Sequence, residues 1–341
     1  MIIISVNVNK LIKNIRIISK LCDDHRYKLI FCIKGLAGNK KLLDRVFQEG
    51  ELPTILGDSR ELHFKNNVSL FKNRTKIFIN VPVHYDEENG KDILSYADIF
   101  YISTIEHVVL LENIAKSRQK IYNVIVVFDS GDSREGIKLY DDSLDKICVF
   151  IKNSKYLKLI GASTNIGCLS NAVPSLKMLQ SFSKVVKNIQ SMYKFDMEYI
   201  IGGSSNFLPL LQGQKLPSNI NTICVGEAIL LGTIPGYKKN LLGLETEIFF
   251  INVDICEIKT LRKNHYQCLL LLGKNDIDRN DIVWPEHIKF INYSSDYLVI
   301  QTNIKGFQKY NLKKGNIKLV VKYYALPRLL SSVYTSICFT K

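Results

Sequence analysis

The sequence predicts an α/β protein: an eight-stranded parallel (β/α)8 barrel of the TIM type followed by a C-terminal, mostly-β domain. Three observations predict it. Eight short apolar runs recur over roughly 200 residues, each closed by a polar or glycine-rich turn and followed by a helical stretch, the pattern of a parallel sheet with helices outside. Eight is the count at which such a sheet closes on itself. From Leu244 onward the pattern changes to strands and turns without long helices, as in ETEIFFINVDICEI and NIKLVVKYYAL.

The elements follow in order. Residues 2–8 read as a strand, and Asn9 is placed to cap an amphipathic helix through Leu11, Ile12, Ile15, Ile18 and Leu21, whose spacing puts them on one face. The eight barrel runs are 28–33, 54–56, 76–79, 98–102, 123–128, 157–161, 197–201 and 221–225. Helices are expected among them at 40–48, 105–115, 174–192 and 206–211. This sets a barrel domain over 9–240 and a β domain over 241–341. The first strand precedes the barrel count and is expected to join the β domain. Within that domain, Lys314-Gly315-Asn316 separates two alternating runs in the manner of a hairpin.

Composition narrows the function classes. Lys+Arg 46 against Asp+Glu 32 gives a formal charge of +14, yet the lysines are scattered among isoleucines and asparagines with no run of five like charges. No nucleic-acid partner is expected, because no recognition motif accompanies the charge. Eight cysteines include no CxxC pair and no Cys/His cluster at zinc spacing, so no metal site is expected and the thiols read as reduced, in a cytoplasm. His25, His63, His84, His107, His265 and His287 stand singly. Charge at Lys10 and Lys13 comes too early for a signal peptide, and no stretch reaches the roughly 18 apolar residues of a membrane span. A membrane partner is therefore not expected either.

In such a barrel the chemistry sits at the carboxyl ends of the strands. Lys34 follows the first run, Asp58-Ser59-Arg60 the second, and Asp129 to Gly136, with Arg134, the fifth. Thr164 and Asn165 follow the sixth, Gly202-Gly203-Ser204-Ser205 the seventh and Gly226-Glu227 the eighth. Asp58 and Arg60 read as an ion pair at the barrel mouth. The GGSS turn ends a strand and opens a helix, where backbone N–H groups and the helix dipole favour an anion, although a plain tight turn would read the same. Strands seven and eight are the usual phosphate position of these barrels. Lys34 reads either as a solvated strand-end lysine or as an amine facing the barrel centre. In the second case, a phosphate cradle opposite a buried lysine is what a Schiff-base cofactor such as pyridoxal phosphate requires.

These residues carry a resemblance. The chain resembles the fold-type III pyridoxal-phosphate enzymes, the alanine racemase superfamily, and looks closest to its alanine/ornithine racemase branch. The likeness runs from about Ile3 to Tyr334, through SVNVNKLIKNI, FCIKGLAGNKKL, GDSREL, FDSGDSREGI, GASTNIGC, IIGGSSNFLPLL, VGEAILLG, SSDYLVI and YYALPRLLSSVY. It implies pyridoxal 5'-phosphate as cofactor, an amino acid as substrate and a homodimer whose active sites lie at the interface. By the same resemblance Lys34 bonds the cofactor's aldehyde and acts as one racemisation base, Arg134 contacts the substrate carboxylate side, and Asn165 lies against the cofactor ring. Ser205, with Ser204 beside it and the backbone of Gly226 and Glu227, matches the phosphate cradle, and Tyr334 lies in the closing motif.

Two departures stand out. Racemisation needs an acid/base group on each face of the reacting carbon. In the alanine racemases a tyrosine from the partner's β domain supplies the second, but here Glu257 runs through a short hairpin into Tyr266, so Tyr266 or His265 is the candidate. Where the family has an arginine two residues before the cradle glycine, this chain has Cys224, a weak donor without positive charge. The resemblance implies an enzyme that interconverts L- and D-amino acids, ornithine or another basic amino acid ahead of alanine. The alternative is a cofactor-binding relative that lost the second base, either a non-racemising biosynthetic enzyme or a regulatory, cofactor-carrying protein.

Overall fold

The computed structural model describes residues 2–340 apart from 51, 80, 82–92, 168–169, 171, 214 and 239. His84 and Cys168 lie outside the described residues. The strands are β1 (Ile2–Asn7), β2 (Lys28–Cys32), β3 (Ile55–Asp58), β4 (Thr75–Phe78), β5 (Ile99–Ile102), β6 (Tyr122–Asp129), β7 (Ile137–Lys138), β8 (Leu157–Asn165), β9 (Tyr199–Ile201) and β10 (Thr222–Val225). A second series follows: β11 (Phe249–Arg262), β12 (His265–Leu270), β13 (Ile282–Val283), β14 (Ile288–Tyr293), β15 (Leu298–Asn303), β16 (Asn316–Val321) and β17 (Thr335–Thr340).

All eight predicted barrel runs are strands. They pair in parallel in the order β5-β4-β3-β2-β10-β9-β8-β6, and β5 closes on β6, while the two-residue β7 hangs on β6 outside the ring. Period-two alternation explains the closure, because one face of each strand must fill the interior and the other must meet a helix. The inner set is Ile30, Ile77, Ile99, Ile125, Val127, Ile160 and Ile201 with Tyr101 and Tyr199, mostly β-branched and packed as a cluster of their own. The intervening residues, such as Phe31, Phe100, Val124 and Phe128, join the larger cluster under the helices.

The β domain is antiparallel, in the order β13-β16-β11-β12-β15-β14. Strand β1 lies between β11, which it pairs antiparallel, and β17, which it pairs in parallel from Ile2↔Thr335 to Asn7↔Thr340. The β11–β12 connection is a two-residue turn, Lys263-Asn264, with Asn264 at φ 62°. No described helix is long and apolar enough to cross a membrane.

Four local expectations need correction. The first helix, Val8–Asp24, is capped by Asn7, whose side chain accepts from the Lys10 N–H at 3.0 Å, because β1 stops one residue sooner than the apolar run suggests. Residues Ser205–Gln212 form a 3-10 helix, with Pro209 inside it. Lys314-Gly315-Asn316 is not a hairpin: the helix Ile304–Lys309 and the 3-10 turn Leu312–Lys314 precede it, and β15 and β16 pair with different neighbours. Asn303 caps that helix, accepting from the Gly306 N–H, so the chain leaves the sheet there. Finally, the buried Asp58 pairs with His63 Nδ1 at 2.9 Å and accepts the backbone N–H of Arg60, not its guanidinium.

Candidate active site

The carboxyl ends of the barrel strands surround a cavity of about 220 Å³. Lys34, Arg134, Asn165, Ser204, Ser205, Cys224 and Glu227 all line it. A larger open groove lies at the opposite end of the barrel, along Arg16, Lys28 and Ile55, and holds none of these residues.

Each wall has a local cause. Strand β2 ends at Cys32, and Lys34 rides on the 3-10 turn Ile33–Leu36, which Ala37 closes in the left-handed region at φ 51°. Asn39 then caps the helix Lys40–Glu49 through Leu42 N–H, while its amide donates to the Leu330 carbonyl at 3.0 Å. The lysine turn is thereby tied to the C-terminal segment. Lys34 is half-buried, and with Tyr323 and Tyr324 it also borders a second opening of about 400 Å³ beside Arg60 and His63.

Past β6, one carboxylate oxygen of Asp129 accepts the N–H groups of Gly131, Asp132 and Ser133 at 2.9, 3.1 and 3.2 Å. This curls the loop and brings Arg134 back over the cavity, where its guanidinium is paired with Glu135. On the far wall, Ser204 precedes the 3-10 helix and donates to Asn206 Oδ1 at 3.2 Å. Ser205 is buried, and its hydroxyl accepts the Ala228 N–H at 3.1 Å, stitching the turn after β9 to the turn after β10. A hydroxyl that accepts from the backbone still has its proton to donate.

The electrostatics are set by burial. Burial pushes the Glu227 carboxyl up, opposed by a hydrogen bond from Thr233 Oγ1 at 2.7 Å. Burial likewise drives the Tyr101 and Tyr323 hydroxyls well above their ordinary value, so both are donors at neutral pH. Cys32 goes the other way, held down to about 7 chiefly by a hydrogen bond with the Cys224 thiol, with Lys34 adding to it and burial opposing.

The donor set fits an aldehyde that carries a phosphate. A lysine amine stands in the same small cavity as two serine hydroxyls and the strand-end turn at Gly203, and of the two glutamates that line it Glu135 is ion-paired with Arg134 while burial raises Glu227.

Two expected site residues lie elsewhere in this chain. Tyr266 is on β12, its ring stacked on Phe307 at 4.2 Å, beside a separate hollow shared with His265 and His287. Tyr334 is 73% exposed, and its carbonyl accepts the Ile2 N–H at 3.0 Å. Tyr323 and Tyr324, at the start of the same YYALPRLLSSVY segment, reach the cavity instead. The sequence reading also passed over Cys32 and Tyr101. For Tyr101 a signal existed: it is the polar-tipped residue on the inward phase of the IFYI strand, in step with Ile99.

A family model described as alanine racemase, N-terminal domain, matches residues 6–229. The chain belongs to the alanine racemase family. Among curated relatives, an ornithine racemase of Acetoanaerobium sticklandii is 23% identical over 322 residues, covering 88% of this chain and 89% of the relative. A lysine racemase of Thermotoga maritima is 19% identical and covers 96% of both. Among solved structures, the alanine racemase of Bartonella henselae with covalently bound pyridoxal phosphate superposes with a TM-score of 0.71 over 99% of both chains at 10% identity, which shows the shared barrel and β-sheet fold.

Proposed function

We propose that this family member is a pyridoxal-phosphate-dependent racemase of a basic amino acid, with ornithine or lysine ahead of alanine, and that Lys34 serves one face of the reacting carbon. The chain is an amino-acid racemase, an isomerase, by its family and its curated relatives. The choice of a basic substrate rests on the two relatives covered over most of their length, which are named for ornithine and lysine. The observation that carries the cofactor reading is the single cavity in which Lys34 and the serine turn stand together.

When bound, the cofactor supplies an electron-withdrawing ring that makes the substrate's α-hydrogen acidic enough to leave. Lys34 would hold the aldehyde through Nζ and, once an incoming amine has released it, hold or return a proton at that same atom. Ser204, Ser205 and the backbone at Gly226 and Glu227 would hold the phosphate, Asn165 and Cys224 would face the ring, and Arg134 would orient the substrate carboxylate. Tyr266 lies outside its own chain's cavity. Its role as second base, or that of His265 beside it, therefore requires a second copy, and a homodimer is part of the proposal. A cytoplasmic setting is the remaining part, in keeping with the described cysteines, all free thiols.

Incubating L-ornithine, L-lysine and L-alanine separately with the protein and pyridoxal phosphate, then resolving enantiomers by chiral chromatography, tests the reading. Conversion of ornithine or lysine is expected, and Lys34→Ala should lower it by about 1000-fold or more and remove the bound-cofactor absorbance. Unchanged absorbance in the variant, or no conversion of any of the three, would overturn it.

A further inference from the structure

Among the described residues, Glu135 and Glu227 are the carboxylates that border the cavity. Glu227 is already engaged: its Oε1 accepts from Thr233 Oγ1 at 2.7 Å, and burial pushes its carboxyl up, favouring the neutral form that attracts a cation weakly. Glu135 stands beside Arg134 on the loop after β6. Successive residues of an extended chain point to opposite sides. Here Ser133 at φ 51° and Gly136 at φ 123° bend the backbone on either side of the pair, and both side chains border the cavity, 30% and 28% exposed. Glu135 takes the Nε and Nη2 edge of the guanidinium, one carboxylate oxygen to each nitrogen. The Nη1 hydrogens lie outside this bidentate contact, and a carboxylate has about four lone-pair positions, so it can accept from a further donor.

Resting on the racemase reading for the role of Arg134, we propose that Glu135 is the specificity-determining residue of the site: as Arg134 takes the α-carboxylate of the substrate, Glu135 accepts hydrogen bonds from the distal ammonium of a diamino acid. The pair then presents one positive and one negative end to a substrate with the opposite two. The other charged side chains in the cavity include the cationic Lys34, against which a distal ammonium without a partner would be buried at a cost. An amino acid with the same carbon chain but no distal amine gains nothing from Glu135. One set of charge-assisted hydrogen bonds discriminates by about 10- to 100-fold.

Calorimetric titration of the full-length protein after incubation with pyridoxal phosphate compares L-ornithine with L-norvaline, its counterpart without the distal amine. The parent should bind ornithine about 10- to 100-fold more tightly, and Glu135→Gln should bring that ratio down to about 3 or below. A residue that only holds Arg134 in place would weaken both ligands alike, since both carry the α-carboxylate, and a ratio that survives in Glu135→Gln overturns the proposal. So does a parent that binds the two equally, or a ratio that collapses in Glu227→Gln and not in Glu135→Gln. Should Glu135→Gln fail to melt like the parent, Glu135→Asp decides: it withdraws the charge by one methylene and should shift preference from ornithine towards lysine, and an unshifted preference overturns the proposal. Chiral chromatography of the same samples keeps the two readings apart. A preference for ornithine without racemisation fails the racemase reading alone, and racemisation of ornithine and norvaline with equal efficiency fails the assignment of Glu135 alone.

Discussion

Glu227 opens the helix Glu227–Leu231 directly after Gly226, at the point where the proposed cofactor would set its phosphate. Burial raises its carboxyl above the usual range, so the group is neutral at low pH and becomes an anion only as pH climbs past that raised value. The sign follows directly: the carboxylate repels a bound phosphate only on the alkaline side of the shift. Compared with the parent, Glu227→Gln should therefore gain affinity for pyridoxal phosphate as pH rises, with little difference at the acid end. Fluorescence titrations over the whole pH range in which both proteins stay folded check this, and affinities of variant and parent that agree throughout would mean the carboxylate does not face the ligand. The same scale explains why some site residues were legible and others were not. Lys34, Ser204, Ser205 and Cys224 each follow or end an apolar run at a fixed strand, so the barrel rule alone brings them to one end. Tyr323 is brought there from the other domain, and no local pattern announces that.

The loop after β6 is an element held by very few atoms. Asp129 fixes three N–H groups, and Gly131, Ser133 and Gly136 all lie at positive φ, with Gly136 at 123°. A Cβ at Gly136 would fall 2.3 Å from the Asp129 nitrogen and 2.5 Å from the Phe128 carbonyl carbon, backbone atoms that have nowhere to go. Gly136→Ala should cost at least about 2 kcal/mol and displace Arg134. Thermal melting reads the first effect; a weakened affinity for the amino-acid substrate with cofactor binding intact reads the second. A variant that melts with the parent would show the loop to be less constrained than its geometry says. Element type was legible where periodicity ran long, as in the helix Leu176–Tyr193. It was not legible at Ser205–Gln212, where Pro209 removes an N–H and breaks the α ladder within eight residues.

At the scale of the whole molecule, Asn14 joins three parts of the chain. Fully buried, it donates to the Glu245 carbonyl at 2.9 Å and the Ile229 carbonyl at 3.3 Å, and accepts the Glu245 N–H at 2.7 Å. The first helix, the helix beside the serine turn and the approach to the β domain thus converge on one amide. Asn14→Leu keeps the branched outline of the side chain and strands these backbone groups, which should cost about 3 kcal/mol and lower the melting temperature by roughly 5 °C. Calorimetry of the parent and variant decides it, and an unchanged transition would mean that the joint is redundant. The helix Ala325–Ser331 makes a second bridge, where Arg328 pairs with Asp281 and the Leu330 carbonyl takes the amide of Asn39 beside the lysine turn.

Periodicity and strand count determined the barrel, because a chain with eight short apolar runs separated by polar turns and helical stretches has one economical way to bury both faces of the sheet. The change of rhythm at Leu244 likewise determined that a β-rich segment follows. Only the tertiary structure decided what crosses between them. It put β1 between β11 and β17, strands more than 240 residues downstream of it, and brought Tyr323 in place of Tyr334 to the cavity. The reason is that hydrophobic patterning fixes which face of an element turns inward, whereas contacts between distant segments depend on register and on single hydrogen bonds, such as those of Asn14 and Asn39, that carry no periodic signal.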